Sequence, residues 1–472
     1  MICSVVARSQ LSRDTRFRCL SMAVLTLLVI TAWLCVCEAE LLAQTDAFTP
    51  PAILPQAQPE DLGLQIPDGD PIPGSGRRVL LKDSREKLVV GRVHVEIGDR
   101  FLVMLPNGRL VSVPKIAATV TDRPFKPVTK DEIVEELTGS SFKNFKTDST
   151  ARFLYVYNTS EAFKTATSRI LETMYPTLLR YCKGMGLDVH DPEFPLVVVM
   201  FRSREEFDHY MQVPPGISAY YSGISNYVVM YEESEMTRLA PALALKTSIS
   251  TIAHEGVHQI LLNIGVQQRL SKWPAWISEG LPEYFAPTET GRRVRWKGLG
   301  LVHDMRMHHL IEVAKQESHG GQRWFHLDQH IKAEDLDALG YAKAWATVYW
   351  LAKFSQKKFK SYLQEVSRLQ PLEEPPHPGA FFESHFGRDY ARLEEKMLAK
   401  LRKVKYVDPI ENQTYFVGMF ENREEKRALV ALSPVTLNQW RSGISVRGHF
   451  KIEKFLSKSA ARSYVQRYLN SP

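Results

Sequence analysis

Apolar and polar residues alternate at period two between Arg78 and about Thr121, in the runs Arg78–Lys82, Lys87–Ile97, Phe101–Leu105 and Arg109–Val113. Successive side chains of a strand point to opposite faces, so this rhythm predicts strands with one buried face. Asn107-Gly108 supplies the residues of a tight hairpin turn between two of the runs. A small β-barrel or meander of SH3-like size is expected over 78–121. After a connector at 122–150 with one short helix, Lys130–Leu137, the rhythm changes. Phe153–Tyr157 and Pro195–Phe201 are unbroken apolar runs, as in strands covered on both faces. A helical period fills Ser160–Met185, and Arg204–Met211 reads as a short helix. Ile217–Tyr231 follows. Further helices are predicted at His303–Gln316, Tyr341–Phe354, Phe359–Leu369 and Asp389–Lys403. The last stretch, 406–472, mixes short strands such as Tyr415–Phe420 and Ala428–Leu432 with a basic final helix, Lys458–Leu469.

The strongest helical pattern is Ile249, Ile252, Ala253, Val257, Ile260 and Leu261. Thr247 or Ser248 is expected to cap its start and Gly265 to stop it. Within it stands His254-Glu255-Gly256-Val257-His258. Positions four apart share one helix face, so both imidazoles can converge on one point. Zinc takes such nitrogen ligands in a tetrahedral shell, and the Glu beside the first His can reach a water on the metal. Catalytic zinc takes three protein ligands and keeps one position for water. Glu279, in Trp273-Pro274-Ala275-Trp276-Ile277-Ser278-Glu279-Gly280-Leu281-Pro282-Glu283-Tyr284-Phe285, offers the third. Pro274 is placed to open a second helix, and the short link from Gly265 to Lys272 folds the two helices as neighbours. Pro282 has no N–H for Ser278 and is expected to bend the turn after Glu279.

His-Glu-x-x-His followed by Trp-x-x-Glu-Gly resembles the gluzincin metallopeptidases, the thermolysin and aminopeptidase N clan. The variant Glu-Gly-Leu-x-Glu-Tyr-Phe is more similar still to a secreted bacterial group known as domain of unknown function 1570. The resemblance spans about Phe153 to Leu401. It implies zinc on His254, His258 and Glu279, with Glu255 as general base. It also implies that Asn226–Tyr231 is a sheet-edge strand lining the cleft, so Asn226, Tyr227 and Val228 become candidate contacts for an extended peptide. The Gly-x-Met-Glu-Asn signature of aminopeptidases is absent, which argues against a dedicated amino-terminal exopeptidase. Glu283, four residues beyond Glu279, is the candidate carboxylate behind a ligand imidazole. Tyr341 is the candidate oxyanion donor; His303, His326 and His330 are weaker ones.

Composition changes this picture little. With 472 residues, 44% apolar and 24% charged, the chain has room for several domains and a large core. The net charge is +7, without a dense Lys/Arg patch interleaved with aromatics, which excludes nucleic acid as an expected partner. Arg8, Arg13, Arg16 and Arg18 precede an apolar run from Met22 to Cys37. Residues 1–39 therefore read as a signal peptide, or as an uncleaved anchor, implying a secreted, periplasmic or surface protein. Residues 40–77, rich in Pro, form a linker. Of Cys3, Cys19, Cys35, Cys37 and Cys182, only Cys182 lies beyond the leader, and it reads as a buried inert thiol.

The expected architecture is α+β. The resemblance makes 151–405 a zincin-like catalytic domain, a mixed sheet with an active-site helix and a helical subdomain. The small β domain at 78–121 precedes it and an α/β unit at 406–472 follows. The expected activity is a secreted zinc metallopeptidase acting on peptides or proteins, with association to a cell wall or membrane surface left open. Two rivals remain: an exported scaffold or adhesion protein with structural zinc, and a zinc amidase acting on cell-wall amides.

Overall fold

A computed structural model describes residues 64–83, 86–213, 217–233, 235–289, 295–296, 298–318 and 323–471. The expected signal peptide and most of the expected linker lie outside the described residues. The chain is a mixed α/β structure with several sheets. Among the described residues no helix is long and apolar enough to cross a membrane.

The first sheet contains β1 (Ile72–Pro73), β2 (Arg78–Lys82), β3 (Leu88–Ile97), β4 (Arg100–Met104), β5 (Leu110–Pro114) and β6 (Thr119–Val120). Strands β2 to β5 form an antiparallel meander, β6 returns to β2, and β1 pairs with β3. The end strands β5 and β6 do not pair, so the meander alternative is realised and no closed barrel forms among the described residues. One apolar face of this sheet packs within itself through Val79, Leu81, Val93 and Val103. The other face, with Val95, Leu102 and Leu110, is completed from later in the chain by Phe194, Ile224, Leu270 and Leu372.

Helix α1 (Lys130–Thr138) starts on a capping box between Thr129 and Glu132. Next come β7 (Lys146–Ser149), β8 (Phe153–Tyr157), α2 (Glu161–Gly184), β9 (Leu196–Ser203), α3 (Arg204–Tyr210), β10 (Ala219–Ser222) and β11 (Tyr227–Glu233). Their sheet has the order β10-β11-β9-β8-β7, with β8, β9 and β11 parallel and the two outer strands antiparallel. The central strands read as continuous apolar runs because both faces are covered. Phe153, Tyr155, Val198 and Met200 face the main core, while Leu154, Val156, Val197 and Val199 pack under α1 and α3.

This topology corrects one expectation. Asn226–Tyr231 is not the sheet edge, because β11 is hydrogen-bonded to β9 on one side and β10 on the other. The edge strand on that side of the sheet is β10.

Helix α4 (Glu235–Leu239) leads into α5 (Pro241–Asn263), which carries the His pair. The expected cap at Thr247 or Ser248 is also corrected. The helix begins two turns earlier at Pro241, whose missing N–H costs nothing at the first helical position. Gly265, at φ 87, turns the chain out of it. Every residue from Thr251 to Leu261 is buried. Gly256 is where α2 crosses: a β-carbon there meets Leu171 at 2.3 Å.

Helix α6 (Ala275–Phe285) follows, then β12 (Thr288–Glu289), β13 (Arg295–Trp296), α7 (Asp304–Ser318), α8 (Leu327–Lys332), α9 (Ala338–Phe354), α10 (Gln356–Val366), α11 (Ala380–Phe386) and α12 (Tyr390–Leu401). These helices share one core with α2, α5 and the inner sheet face. Gly280 lets α6 approach α9 at backbone distance, since a β-carbon there lies 2.8 Å from the Ala344 carbonyl oxygen. The C-terminal stretch contains β14 (Tyr415–Glu421), β15 (Lys426–Ala431), α13 (Pro434–Ser442), β16 (His449–Phe455) and α14 (Lys458–Asn470). Its sheet, ordered β15-β14-β16, turns Val417 and Met419 toward Ala461 of α14 and Gly418 toward Leu437 and Trp440 of α13.

Candidate metal centre

The helix spacing does what the sequence requires of it. His254 Nε2 and His258 Nε2 lie 3.2 Å apart. Glu279 Oε2, from α6, stands 3.1 Å from the first and 3.4 Å from the second. Four ligands at zinc distances in a tetrahedral shell are about 3.3 Å from one another. The three observed separations are thus three edges of such a shell. All three residues are buried, and together they are the one cluster of His, Cys, Asp or Glu among the described residues placed to hold a metal ion. Pro282 lies inside α6, yet the helix continues to Phe285 and Glu279 still meets both imidazoles.

Electrostatics point the same way. Burial opposes charge on His254, but the carboxylates of Glu279 and Glu283 against its two ring nitrogens outweigh it and hold its pKa up to about 10. Burial alone would raise Glu279; the His258 and His254 rings overcome it and bring it down to about 2. The pocket therefore favours anionic carboxylates around a positive charge.

Glu283 stands behind the first imidazole. Its Oε1 is 3.1 Å from His254 Nδ1, a charge contact that is not aligned as a linear hydrogen bond. That placement leaves Nε2 to face the other donors. Arg306 of α7 grips Glu283 with both arms, Nε to Oε2 at 2.8 Å and Nη2 to Oε1 at 2.7 Å. His303 Nε2 lies 3.3 Å from Glu283 Oε2 and 3.1 Å from Ser250 Oγ. Burial pushes His303 down to about 4, so a neutral ring faces the carboxylate at neutral pH. Glu283 itself is held well below the usual range: burial opposes this, and Arg306 and His254 prevail. Replacing Arg306 by Met strands a buried anion beside a ligand. The expected result is a loss of about 3–5 kcal/mol of stability in denaturant titration and a 10- to 100-fold weaker metal affinity, roughly the cost of losing an outer-shell partner.

Glu255 does not join the cluster. Its Oε2 accepts a hydrogen bond from the backbone N–H of Tyr221 on edge strand β10 at 2.8 Å. Burial raises its pKa against the pull of the two imidazoles. A cavity of about 740 Å³ opens over Glu255, His258, Glu279 and Tyr341, walled by β10 and the link from Gln267 to Trp273. The Tyr341 ring centroid is 6.1 Å from that of His254, and the Arg306 guanidinium lies 5.4 Å from the Tyr341 ring centroid. His303, His326 and His330 do not line the cavity.

Asn226, Tyr227 and Val228, expected as substrate contacts, are buried within the sheet and do not line the cavity. Tyr220, Tyr221, Gly223 and Ile224 line it instead. Cys182 is buried, and burial pushes its thiol up to about 12, as suits an inert packing group. Sequence reading missed Arg306 and the contact through Tyr221. Arg306 left no periodic signal, because its partner comes from a helix 23 residues earlier.

Residues 248–373 match the model of a family described as a protein of unknown function, DUF1570. The matched stretch begins inside α5 and ends beyond α10, so it includes His254, Glu255, His258, Glu279, Glu283, Arg306 and Tyr341. No curated protein matches the chain.

Proposed function

We propose that this chain is a zinc metallopeptidase of the gluzincin type, its site set in a zincin-like arrangement of edge strand, His-bearing helix and Glu-bearing helix. The observation that carries the reading is the pairing of two features. Three donors stand 3.1–3.4 Å apart, and a second carboxylate, Glu255, faces the same cavity without entering the cluster. His254, His258 and Glu279 would hold the ion. When bound, zinc supplies Lewis acidity to a scissile carbonyl and acidity to a water.

The chain's own residues do the rest. Glu255 takes the proton of the attacking water and returns it to the departing amine nitrogen, one carboxylate serving as base and then as acid. The Tyr221 N–H fixes the orientation of that carboxylate. Its buried setting, which raises its pKa, suits both roles. Tyr341, whose ring lines the cavity beside His254, would donate to the developing oxyanion. Glu283 and Arg306 keep the His254 ring from rotating. The outer edge of β10 is where an extended peptide would add as a further strand, which makes main-chain contacts without a side-chain code.

A structural ion needs neither a base nor an open cavity, and both features weigh against a scaffold. Residues 1–39 are proposed as the export leader. The test is the zinc-loaded protein incubated with a mixture of unfolded peptides, with and without chelator. Cleavage at internal bonds that stops with chelator and returns with zinc is expected. Intact peptides from fully loaded protein would favour the scaffold, and products from wall amides alone would favour the amidase.

A further inference from the structure

Glu255, Gln259 and Asn263 recur every four residues on α5 and so form a single stripe. All three are buried, and all three reach the β10–β11 hairpin. Glu255 accepts the Tyr221 N–H. Gln259 Nε2 donates to the carbonyl oxygens of Asn226 and Val197, both at 2.9 Å. Asn263 Nδ2 donates to Asn226 Oδ1 at 2.7 Å, and Asn226 Nδ2 donates back to Asn263 Oδ1 at 3.0 Å. The Tyr221 hydroxyl donates to the same Asn226 Oδ1 at 2.8 Å. Asn226 sits at φ 66, in the left-handed region that Asn tolerates better than most residues.

The hairpin is held from its other side as well. Leu110 N–H in the first sheet donates to the Ile224 carbonyl oxygen at 2.8 Å. Ile224 packs into that sheet's core beside Leu102 and Leu110. Arg269, also buried, donates to the Gly108 carbonyl oxygen and reaches Asn263 Oδ1 at 3.4 Å. A buried polar stripe is costly to build unless its members are paired, and a paired one fixes position and register far more sharply than apolar packing does.

We propose that Asn226 is a positioning residue. Gripped by Gln259 and Asn263 of the α5 stripe, in a turn that Ile224 ties to Leu110 of the first sheet, it sets β10 at the height that places the Tyr221 N–H on Glu255. On this account the amino-terminal β module is part of how the reaction site is set, not a separate attachment. The activity arm of the test rests on the peptidase reading; the exchange arm does not.

Two variants of the full chain, zinc-loaded, decide it. Tyr221→Phe removes one hydroxyl, and Asn226→Gly keeps the positive φ while removing the amide. Both are expected to hold one zinc per chain as the parent does. Their β10 amides should exchange with deuterium about tenfold faster or more, with protection elsewhere unchanged. On peptide substrate, kcat should fall roughly 10- to 100-fold, the cost of a displacement of about an ångström, while KM stays within about threefold. Arg269→Met should move β10 exchange in the same direction. Unchanged β10 exchange with kcat within about twofold of the parent overturns the proposal. So does loosening spread over the whole chain together with loss of zinc, which marks a merely structural residue. If the parent cleaves no peptide, local loosening of β10 with zinc retained still supports the grip and sinks only the peptidase reading.

Discussion

Changing Glu255 to Gln leaves a chain that binds zinc as the parent does and turns over peptide about 10²- to 10⁴-fold more slowly. The side chain keeps its shape, and the amide oxygen can still accept the Tyr221 N–H that the carboxylate accepts at 2.8 Å. What is lost is the capacity to take up a proton, because an amide is not a base at any pH an enzyme meets. The fold is expected to tolerate the change: Glu255 is buried and its pKa is raised, so replacing it removes a charge that burial disfavours. The measurement is kcat on a peptide substrate beside zinc content by elemental analysis. A variant within tenfold of the parent would move the base to another residue.

Glu279→Gln is expected to act on the metal instead. Glu279 Oε2 is the one anionic donor, set against both imidazole Nε2 atoms. Gln offers a neutral oxygen, and the dication then loses its one anionic ligand, with Glu283 and Glu255 acting only from outside the donor set. Zinc affinity should fall by more than about 100-fold, beyond the range typical of outer-shell losses. The helix itself should stay folded, since the Glu283–Arg306 pair on its next turn is untouched. Competition with a chromophoric chelator reads the affinity directly. A value within tenfold of the parent would mean that Glu279 is a neighbour of the ion and not its ligand.

The candidate metal centre was legible because its key relation is local. Four-residue spacing on one helix brings His254 and His258 together whatever surrounds them, and a short link returns Glu279 to the same place. The edge strand was not legible. Within Ile217–Tyr231 only Asn226–Tyr231 was expected as a strand, and nothing in the stretch says that four residues, Ala219–Ser222, pair antiparallel with Tyr227–Met230 and take the edge. The start of α5 was misplaced for a related reason. Thr247 and Ser248 look like caps, yet Leu243 and Ala244 are already buried in the helix, and tertiary packing overrides the capping preference. Pro282 was expected to bend the turn after Glu279, and α6, buried from Trp276 to Phe285, runs on past it as a helix. The pairing of Arg306 with Glu283 and of Asn226 with Asn263 spans distances that periodicity cannot see. The Glu255, Gln259, Asn263 stripe was visible at helical spacing and is a signal that could have been read: three polar residues on a buried helix must each find a partner.

The central claim is that His254, His258 and Glu279 hold one metal ion beside a free Glu255. Crystals of the protein loaded with zinc, measured above and below the zinc absorption edge, test it directly. The account predicts a single anomalous peak bonded to both Nε2 atoms and to a Glu279 oxygen, with the Glu255 carboxylate outside bonding distance. A peak elsewhere, or none in a chain shown to be folded, would contradict it.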